Sequence, residues 1–344
     1  MEIDLDHISF EESEKEEVET NQNIREEDTT PWMTKRTADI RNPNIRLHME
    51  IIDFYNYIAP TKGDNENRFL AYEKVRKIIE QAIPGTKLLP FGSYITQVYL
   101  PNSDVDLVLM SEEEDKNKLL RKCSKVILKD TSVFSNVEVV KGARIPIIKF
   151  TESESQIEFD ITFNEVGGLA VLEEIKKAFQ THPEIKYLIL LMKLFLRQRK
   201  LNNSFTGGIG SFLLFCMILS FLRYYKSNIV ERYGEFQLEK VTLGDYLLNF
   251  LKFYGQDFDF QRKEIDMVDG GAILNKRESS FNFSLWSPQD PNHNIGNQCF
   301  KFKEIFGVFR NRYNFVSNYP MEVGKSILKH LINPSNKDFE IYIK

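Results

Sequence analysis

Cysteine is scarce in this chain, and its few thiols are far apart. The 344 residues include three cysteines, Cys123, Cys216 and Cys299, with no CxxC pair and no Cys/His cluster. That spacing excludes the common zinc-binding motifs and a disulfide framework. An odd and sparse set of thiols instead predicts reduced cysteines in an intracellular protein.

Long apolar runs and a basic leader are missing as well. The longest apolar run, from about Ile209 to Leu222, is shorter than the roughly 20 residues that a membrane-spanning helix needs. The first residues are acidic, unlike a signal peptide or a transit peptide. We therefore expect no membrane association.

Positive charge is in deficit at the N-terminus. Residues 1–30 hold 12 Asp and Glu against 2 Lys and Arg, whereas the remainder holds 38 against 43. Because this acidic segment has few aromatic residues and no sustained hydrophobic period, it is predicted to be a disordered tail. The mildly basic remainder is compatible with a nucleic-acid ligand, although many proteins that bind none have the same balance.

The hydrophobic pattern divides the rest of the chain into two parts. Short strand-like segments alternate with helices over residues 59–167, which predicts a small mixed sheet with helices on one side. Long helical periods dominate residues 168–344, and a helix within residues 31–58 joins the two parts. The pattern also predicts a short helix over residues 93–99, a long helix over 209–226 and a loop or short hairpin over 262–281. The expected fold class is α+β, with a mostly helical second domain.

A segment between residues 91 and 110 indicates metal-dependent chemistry. Gly92 and Ser93 precede Asp104 and Asp106, which open an apolar strand. Alternate residues of a strand share a face, so the two carboxylates point the same way and favour a divalent cation between them. Asp160, in a later strand of alternating character, is the best third ligand, and such a triad could hold two ions about 4 Å apart.

The Asp-x-Asp pair is not specific by itself. Surface turns contain it by chance, and glycosyltransferases use it to hold a metal and a nucleotide sugar. The upstream Gly92-Ser93 segment, however, offers a hydroxyl and backbone N–H groups to phosphate oxygens. Together with the apolar strand and Asp160, it favours nucleotidyl transfer over glycosyl transfer.

The same residues resemble the DNA polymerase β type nucleotidyltransferase superfamily. Phe91-Gly92-Ser93 and Asp104-Val105-Asp106 follow its motif, and residues 196–212 (LRQRKLNNSFTGGIGSF) and 284–297 (SLWSPQDPNHNIGN) are similar to noncanonical poly(A) polymerases of the nuclear TRAMP type. The resemblance implies a catalytic sheet domain, a helical central domain and an active-site cleft between them. It also implies that Asp104, Asp106 and Asp160 bind metal and that Asp160 assists deprotonation of an RNA 3′-hydroxyl.

The resemblance further implies a set of nucleotide-binding residues. Lys193 would bind the triphosphate with assistance from Arg197 one helical turn on, and an aromatic ring would stack on the base. Lys193 could instead be a solvated lysine, and Phe212 could be ordinary helix core. The full set is Gly92, Ser93, Lys193, Arg197, Ser211, Phe212, Asp290 and His293.

Three positions depart from the adenylating pattern of this family. Gly167 stands where relatives often carry an Asn that contacts the ribose, and Ser287 replaces the first of two Asp-Pro aspartates, so that Asp290-Pro291 alone remains. His293 lies in the base-recognition loop, where adenylating members commonly have Asn and uridylating members have His. The sequence therefore leaves UTP open as an alternative to ATP.

The resemblance implies an overall activity and partners. The expected protein is a template-independent poly(A) polymerase that uses ATP and two Mg²⁺ or Mn²⁺ ions to extend RNA 3′ ends for RNA surveillance and exosome-mediated decay. The chain has no RNA-binding module that we can identify, so we expect a partner to supply RNA affinity. The resemblance implies that the partners are a zinc-knuckle RNA-binding protein and an RNA helicase, in the nucleus. The alternatives are a terminal uridylyltransferase and a catalytically silent RNA-processing scaffold.

Overall fold

The computed structural model describes residues 30–141, 145–277, 280–319 and 322–340. Apart from Thr30, the predicted disordered tail lies outside the described residues, so its disorder stays a prediction.

Five strands form a mixed sheet in the first half of the chain. They are β1 (Thr86–Pro90), β2 (Val105–Ser111), β3 (Phe134–Val140), β4 (Ile147–Glu152) and β5 (Glu158–Phe163). Their order across the sheet is β1-β2-β5-β4-β3. β2 and β5 run parallel, and the other neighbouring pairs run antiparallel.

This half contains five helices in the described residues, and all but one of them begin with a side-chain cap. They are α1 (Lys35–Ala38), α2 (Pro43–Ile58), α3 (Lys62–Ala82), α4 (Ser93–Thr96) and α5 (Lys116–Lys129). Asn42 caps α2, with Pro43 at the first helical position, and Thr61 forms a capping box with Asp64 at the start of α3. Such side chains satisfy N–H groups that have no partner within the helix.

The second half is mostly helical and contains a small second sheet. The helices are α6 (Gly167–Ala170), α7 (Leu172–Thr181), α8 (Ile185–Arg197), α9 (Ser211–Tyr233), α10 (Glu235–Leu238), α11 (Leu243–Lys252), α12 (Phe302–Asn318) and α13 (Lys337–Glu340). The strands are β6 (Lys263–Asp266), β7 (Ala272–Asn275) and β8 (Leu285–Trp286), in the order β7-β6-β8.

Alternation along β2 gives the two faces of the large sheet different roles. Val105, Leu107 and Leu109 are completely buried and share the first hydrophobic core with side chains of α3 and α5. Successive strand residues point to opposite faces, so Asp106 projects away from that core. The helices therefore cover one face, as predicted, and the other carries the carboxylates.

The second hydrophobic core is assembled from separate stretches of the chain. It combines apolar residues of 32–58 with those of 171–339, and it includes Val98 and Leu100 from the loop before β2. The predicted domain bounds stay a proposal that these two cores support. The loop that leads to Asp104 is thus anchored in the helical core, although Asp104 itself stands at the sheet.

α9 is the central helix of the second core. It has 23 residues and is long and apolar enough to cross a membrane by length and composition alone. However, ten consecutive residues from Leu213 to Leu222 are buried inside the protein, which is the environment of a core helix.

Several predicted elements differ in extent from those observed. The helix predicted over residues 93–99 ends at Thr96, because Gln97 adopts a left-handed conformation that stops the turn. The helix predicted over 209–226 begins at Ser211 and continues to Tyr233. The loop or hairpin predicted over 262–281 is a hairpin, and the two-residue β8 joins it as a third strand.

A buried carboxyl group fastens the C-terminal segment to α2. Glu50 is completely buried and accepts hydrogen bonds from the Trp32 indole N–H (3.0 Å), the Ser326 hydroxyl and the backbone N–H groups of Ile327 (2.8 Å) and Leu328 (3.3 Å). Burial raises the pKa of Glu50, and these donors oppose the rise.

We expect Glu50→Ala to lower the free energy of unfolding by at least about 3 kcal/mol, because several buried donors lose their acceptor. Urea denaturation measures the change. The exposed Glu66 of α3 provides the control, since Glu66→Ala should change stability by less than about 0.5 kcal/mol. Equal effects of the two substitutions would contradict the anchoring role of Glu50.

Candidate active site

Three carboxylates meet on the face of the large sheet that points away from the first core. Asp106 of β2 lies opposite Asp160 of β5 in the parallel register, and Asp104 precedes Asp106 by two residues on the same side. One oxygen atom from each of the three lies within 4.8 Å of the others. The structure therefore brings together all three predicted metal ligands.

The carboxylates repel one another in a partly desolvated site. Burial and the charges of Asp104 and Asp160 raise the pKa of Asp106 to about 7, against the opposing effect of Lys193 and Lys149. Burial also raises the pKa of Asp160 to about 6, although an ion pair with Lys149 lowers it. Like charges held this close favour either a bound proton or a bound cation.

Lys149 is a site residue that sequence reasoning missed. It lies opposite Asp160 in the antiparallel β4–β5 register, and its ammonium group forms an ion pair with the Asp160 carboxylate. The available signal was a lysine within the apolar run of β4. That signal becomes informative only when β4 is known to be the neighbour of β5.

Gly92 lies against the carboxylate of Asp106. Its φ of 71° is in the left-handed region, and a Cβ atom at this position would be 2.6 Å from Asp106 Oδ2. The backbone can therefore approach the carboxylate this closely only with glycine at position 92. Ser93 follows as the first residue of the single-turn helix α4.

Lys193 brings a positive charge from the helical core to the carboxylates. It is buried, with 9% exposure, and its ammonium donates a hydrogen bond to the Val98 carbonyl oxygen at 2.6 Å. Burial lowers the pKa of Lys193 to about 8, although Asp106 and Asp104 act to raise it. Lys193 is thus not a solvated surface lysine.

A cavity of about 570 Å³ lies between the sheet and the helices. Its volume is in the range of small-molecule sites. Apolar side chains of α7 and α9 form part of its wall, including Leu172, Ile175 and Phe215. The predicted site residues on the wall are Gly92, Ser93, Asp104, Asp106, Lys193, Ser211, Phe212 and His293, together with the departing positions Gly167 and Ser287.

Three predicted residues are not among the described residues that line this cavity. Asp160 lies beside Asp106 and is 8% exposed. Arg197 is half-buried at the end of α8. Asp290 is exposed, and it shapes the turn by accepting hydrogen bonds from the Asn292 and His293 backbone N–H groups, both at 2.9 Å.

The loop of residues 287–298 closes one side of the cavity. Ser287 N donates to the His293 carbonyl oxygen at 2.9 Å, which holds the two ends of the turn together. Gln289, which was not predicted, donates from Nε2 to the Gly167 carbonyl oxygen at 2.7 Å. This bond links the loop to α6, at the start of the helical half.

The cluster of three carboxylates suits a hard divalent cation. Asp104, Asp106 and Asp160 offer oxygen ligands only, which Mg²⁺ and Mn²⁺ prefer, and no sulfur or imidazole ligand belongs to the cluster among the described residues. Burial and repulsion between the carboxylates raise the pKa values of Asp106 and Asp160, and a bound cation would relieve that repulsion. The residues present therefore fit the predicted metal site.

Two family models match segments of the chain that contribute residues to the cavity wall. Residues 47–175, which include the carboxylates, match the family model "Poly(A) RNA polymerase, mitochondrial-like, central palm domain". Residues 242–302, which include the loop with His293, match "Cid1 family poly A polymerase". The chain belongs to the noncanonical poly(A) polymerase family.

Individual members of the noncanonical poly(A) polymerase family support this assignment. Poly(A) RNA polymerase protein 1 of Saccharomyces cerevisiae is 33% identical over 310 residues, which cover 83% of this chain and 47% of the relative. The chain thus spans about half the length of that relative.

Solved structures show the same fold. The polymerase core of TRAMP, an RNA surveillance complex, matches with a TM-score of 0.75 and 29% identity, over 86% of this chain and 96% of that one. The Cid1 poly(U) polymerase matches with a TM-score of 0.69 and 19% identity, over 83% and 98%, which indicates the fold alone. The predicted α+β polymerase fold is confirmed.

We expect Mn²⁺ affinity to rise steeply with pH between about 5.5 and 7.5, because protons compete with the cation for Asp160 and Asp106, whose pKa values are about 6 and 7. Below pH 6 these groups hold protons and binding should be weak. Calorimetric titration with Mn²⁺ across this pH range measures the dependence. Strong Mn²⁺ binding that does not change with pH would contradict the assignment of Asp160 and Asp106 as ligands.

We expect Gly92→Ala to weaken Mn²⁺ binding about 10-fold or more, because the added methyl group displaces the Asp106 carboxylate. Gly85→Ala is a matched control: Gly85 also has a positive φ, of 79°, but has no atom within 4 Å of the added Cβ. The control therefore carries the backbone strain without the clash. Equal losses of affinity in both variants would show that strain alone is responsible.

Proposed function

We propose that this protein is a template-independent RNA 3′-terminal nucleotidyltransferase that adds AMP from ATP. The observation that carries the proposal is the carboxylate triad at the edge of a nucleotide-sized cavity whose wall also includes Lys193. The names of its relatives, poly(A) RNA polymerases, agree with this activity. The intact triad argues against a catalytically silent scaffold.

The reaction would be an in-line displacement at the α-phosphate of the nucleotide. The RNA 3′-oxygen forms a bond to the α-phosphorus, the bond from that phosphorus to the bridging oxygen breaks, and pyrophosphate leaves. Asp160, with its raised pKa of about 6, is suited to accept the proton of the 3′-hydroxyl. Two Mg²⁺ or Mn²⁺ ions held by the triad would stabilise the charge that develops.

The cavity wall supplies the remaining roles. Lys193 would neutralise the triphosphate and, because it is buried, would do so with little screening by water. Ser93 and Ser211 would donate hydrogen bonds to phosphate oxygens. Phe212, which is half-buried on the cavity wall, would stack on the base.

A specific observation favours a second candidate for the nucleotide substrate. His293 lines the cavity in the loop that the resemblance assigns to base recognition, and uridylating relatives carry His at this position. UTP is therefore the second candidate substrate, and the experiment below distinguishes the two nucleotides.

The resemblance also supports a biological setting, which we propose with the activity. The enzyme would mark RNA for surveillance and exosome-mediated decay in the nucleus. It would depend for RNA affinity on a zinc-knuckle RNA-binding protein and work with an RNA helicase, as in a TRAMP-like complex.

We expect the purified protein to extend a labelled RNA oligomer with ATP in Mg²⁺ or Mn²⁺, and poorly with the other three nucleoside triphosphates. Replacing Asp104 and Asp106 by Ala should abolish extension without unfolding the protein, because the metal ligands are lost. Gel analysis of product length measures both results.

Two controls complete this experiment. An RNA oligomer with a 3′-deoxy end lacks the attacking hydroxyl, so it should not be extended. Preference for UTP would reassign the substrate. Absence of extension with every nucleotide, with and without an RNA-binding partner, would refute the polymerase proposal in favour of a scaffold.

A further inference from the structure

Two acidic side chains are buried behind the loop of residues 287–298. Glu264 and Asp266 lie two residues apart on β6, so they share a face of the small sheet, and they are only 2% and 7% exposed. Burial of two like charges is costly unless a cation pairs with them. The cation that pairs with Glu264 and Asp266 therefore indicates what the buried pair is for.

Arg277 pairs with both carboxylates and also reaches the loop. Its Nε lies 3.0 Å from Glu264 Oε1, and its Nη2 forms an ion pair with Asp266. Its Nη1 donates to the Pro291 carbonyl oxygen at 3.1 Å, and its guanidinium carbon lies over the Trp286 ring, 4.7 Å from the ring centroid. Arg277 thus links β6 and Trp286, the residue before the loop, to the loop itself.

The hydrogen bond from Arg277 reaches the loop at Pro291, between Asp290 and His293. Asp290 immediately precedes Pro291, and His293, two residues after it, lines the nucleotide cavity. The far end of the loop is held separately, because Asn294 Oδ1 accepts hydrogen bonds from the backbone N–H groups of Leu285 (3.1 Å) and Gly296 (3.0 Å). Gln289 links the near part of the loop to α6, and Arg277 holds the middle of the loop from outside the cavity.

We propose that Arg277 is a positioning residue that sets nucleotide discrimination by holding the loop of residues 287–298 against the cavity. The inference rests on the proposed function, since it concerns the nucleotide that the cavity binds. Arg277 is not among the described residues that line the cavity, so it acts through Pro291 and His293. Misplacement of the loop by about 1 Å is enough to cost about 100-fold in efficiency.

Lysine cannot substitute for Arg277 in this role. The guanidinium group presents several N–H donors in a rigid plane, which lets it contact two carboxylates and a carbonyl oxygen and stack on an indole at once. A single ammonium group can retain the charge beside Glu264 and Asp266 without keeping all of these contacts. Arg277→Lys therefore separates charge compensation from loop positioning.

The test compares the wild type with two variants and a control. Arg277→Lys keeps the charge. The triple variant Glu264→Gln, Asp266→Asn, Arg277→Gln removes all three charges together, so it leaves no uncompensated buried charge. The control is Arg262→Lys, because Arg262 immediately precedes β6 and its side chain is 86% exposed. Measurements are kcat and KM for ATP and UTP, thermal stability, and the Kd of each nucleotide by equilibrium dialysis without RNA.

In both variants we expect KM and Kd for the preferred nucleotide to rise about 10- to 100-fold, while kcat changes little and the ratio of kcat/KM between ATP and UTP falls towards one. The control should match the wild type. Wild-type discrimination in the folded triple variant would overturn the proposal, since Arg277 would then act only by compensating buried charge.

Arg277→Lys decides the question if the triple variant does not fold. Wild-type KM, Kd and discrimination in Arg277→Lys would then overturn the proposal. Failure of the wild type to extend RNA with any nucleotide would refute the proposed function instead. In that case the Kd values from dialysis still decide whether Arg277 positions the loop.

Discussion

The repulsion between Asp106 and Asp160 is the constraint on which the rest of the site depends. The parallel register of β2 and β5 places the two carboxylates side by side, and burial makes their charges more costly than they would be in water. Lys149 on the next strand and Lys193 from α8 both act to lower the pKa of Asp106. Burial and the neighbouring carboxylates outweigh both lysines, so that pKa remains about 7. The site is thus prepared for added cations.

This constraint also explains how the two cores are joined. Lys193 belongs to a helix of the second core, yet its charge is needed at the sheet of the first. Its hydrogen bond to the Val98 carbonyl oxygen holds the loop that leads to Asp104, and Val98 itself is buried in the second core. The spacing between triad and lysine is therefore set by packing in the helical half. Core substitutions near Val98 would act on the chemistry through this spacing.

Sequence periodicity was sufficient for some parts of the site and insufficient for others. Alternation along β2 placed Asp104 and Asp106 on one face, and the similar alternation of β5 supplied Asp160. The family resemblance supplied Lys193, Ser211 and Phe212, which no local period identifies. Lys149 and Arg277 were missed because their roles depend on which strands are neighbours, and strand order is a long-range property. The two-residue β8 is too short to show any alternation.

The stability of the small sheet does not explain why Glu264, Asp266 and Arg277 form an ionic cluster there. Replacing a buried ionic cluster by well-packed apolar residues is often neutral or stabilising, because desolvation of the charges offsets their attraction. Loss of the charges alone would therefore cost β6 little, apart from the hydrogen bonds that Asp266 Oδ1 accepts from the Val268 and Asp269 backbone N–H groups. Apolar residues, however, could not donate a hydrogen bond to the Pro291 carbonyl oxygen, as Arg277 does while it is held by the two carboxylates of β6. The geometry of the ionic cluster is thus better explained by the position of the loop than by the stability of the small sheet.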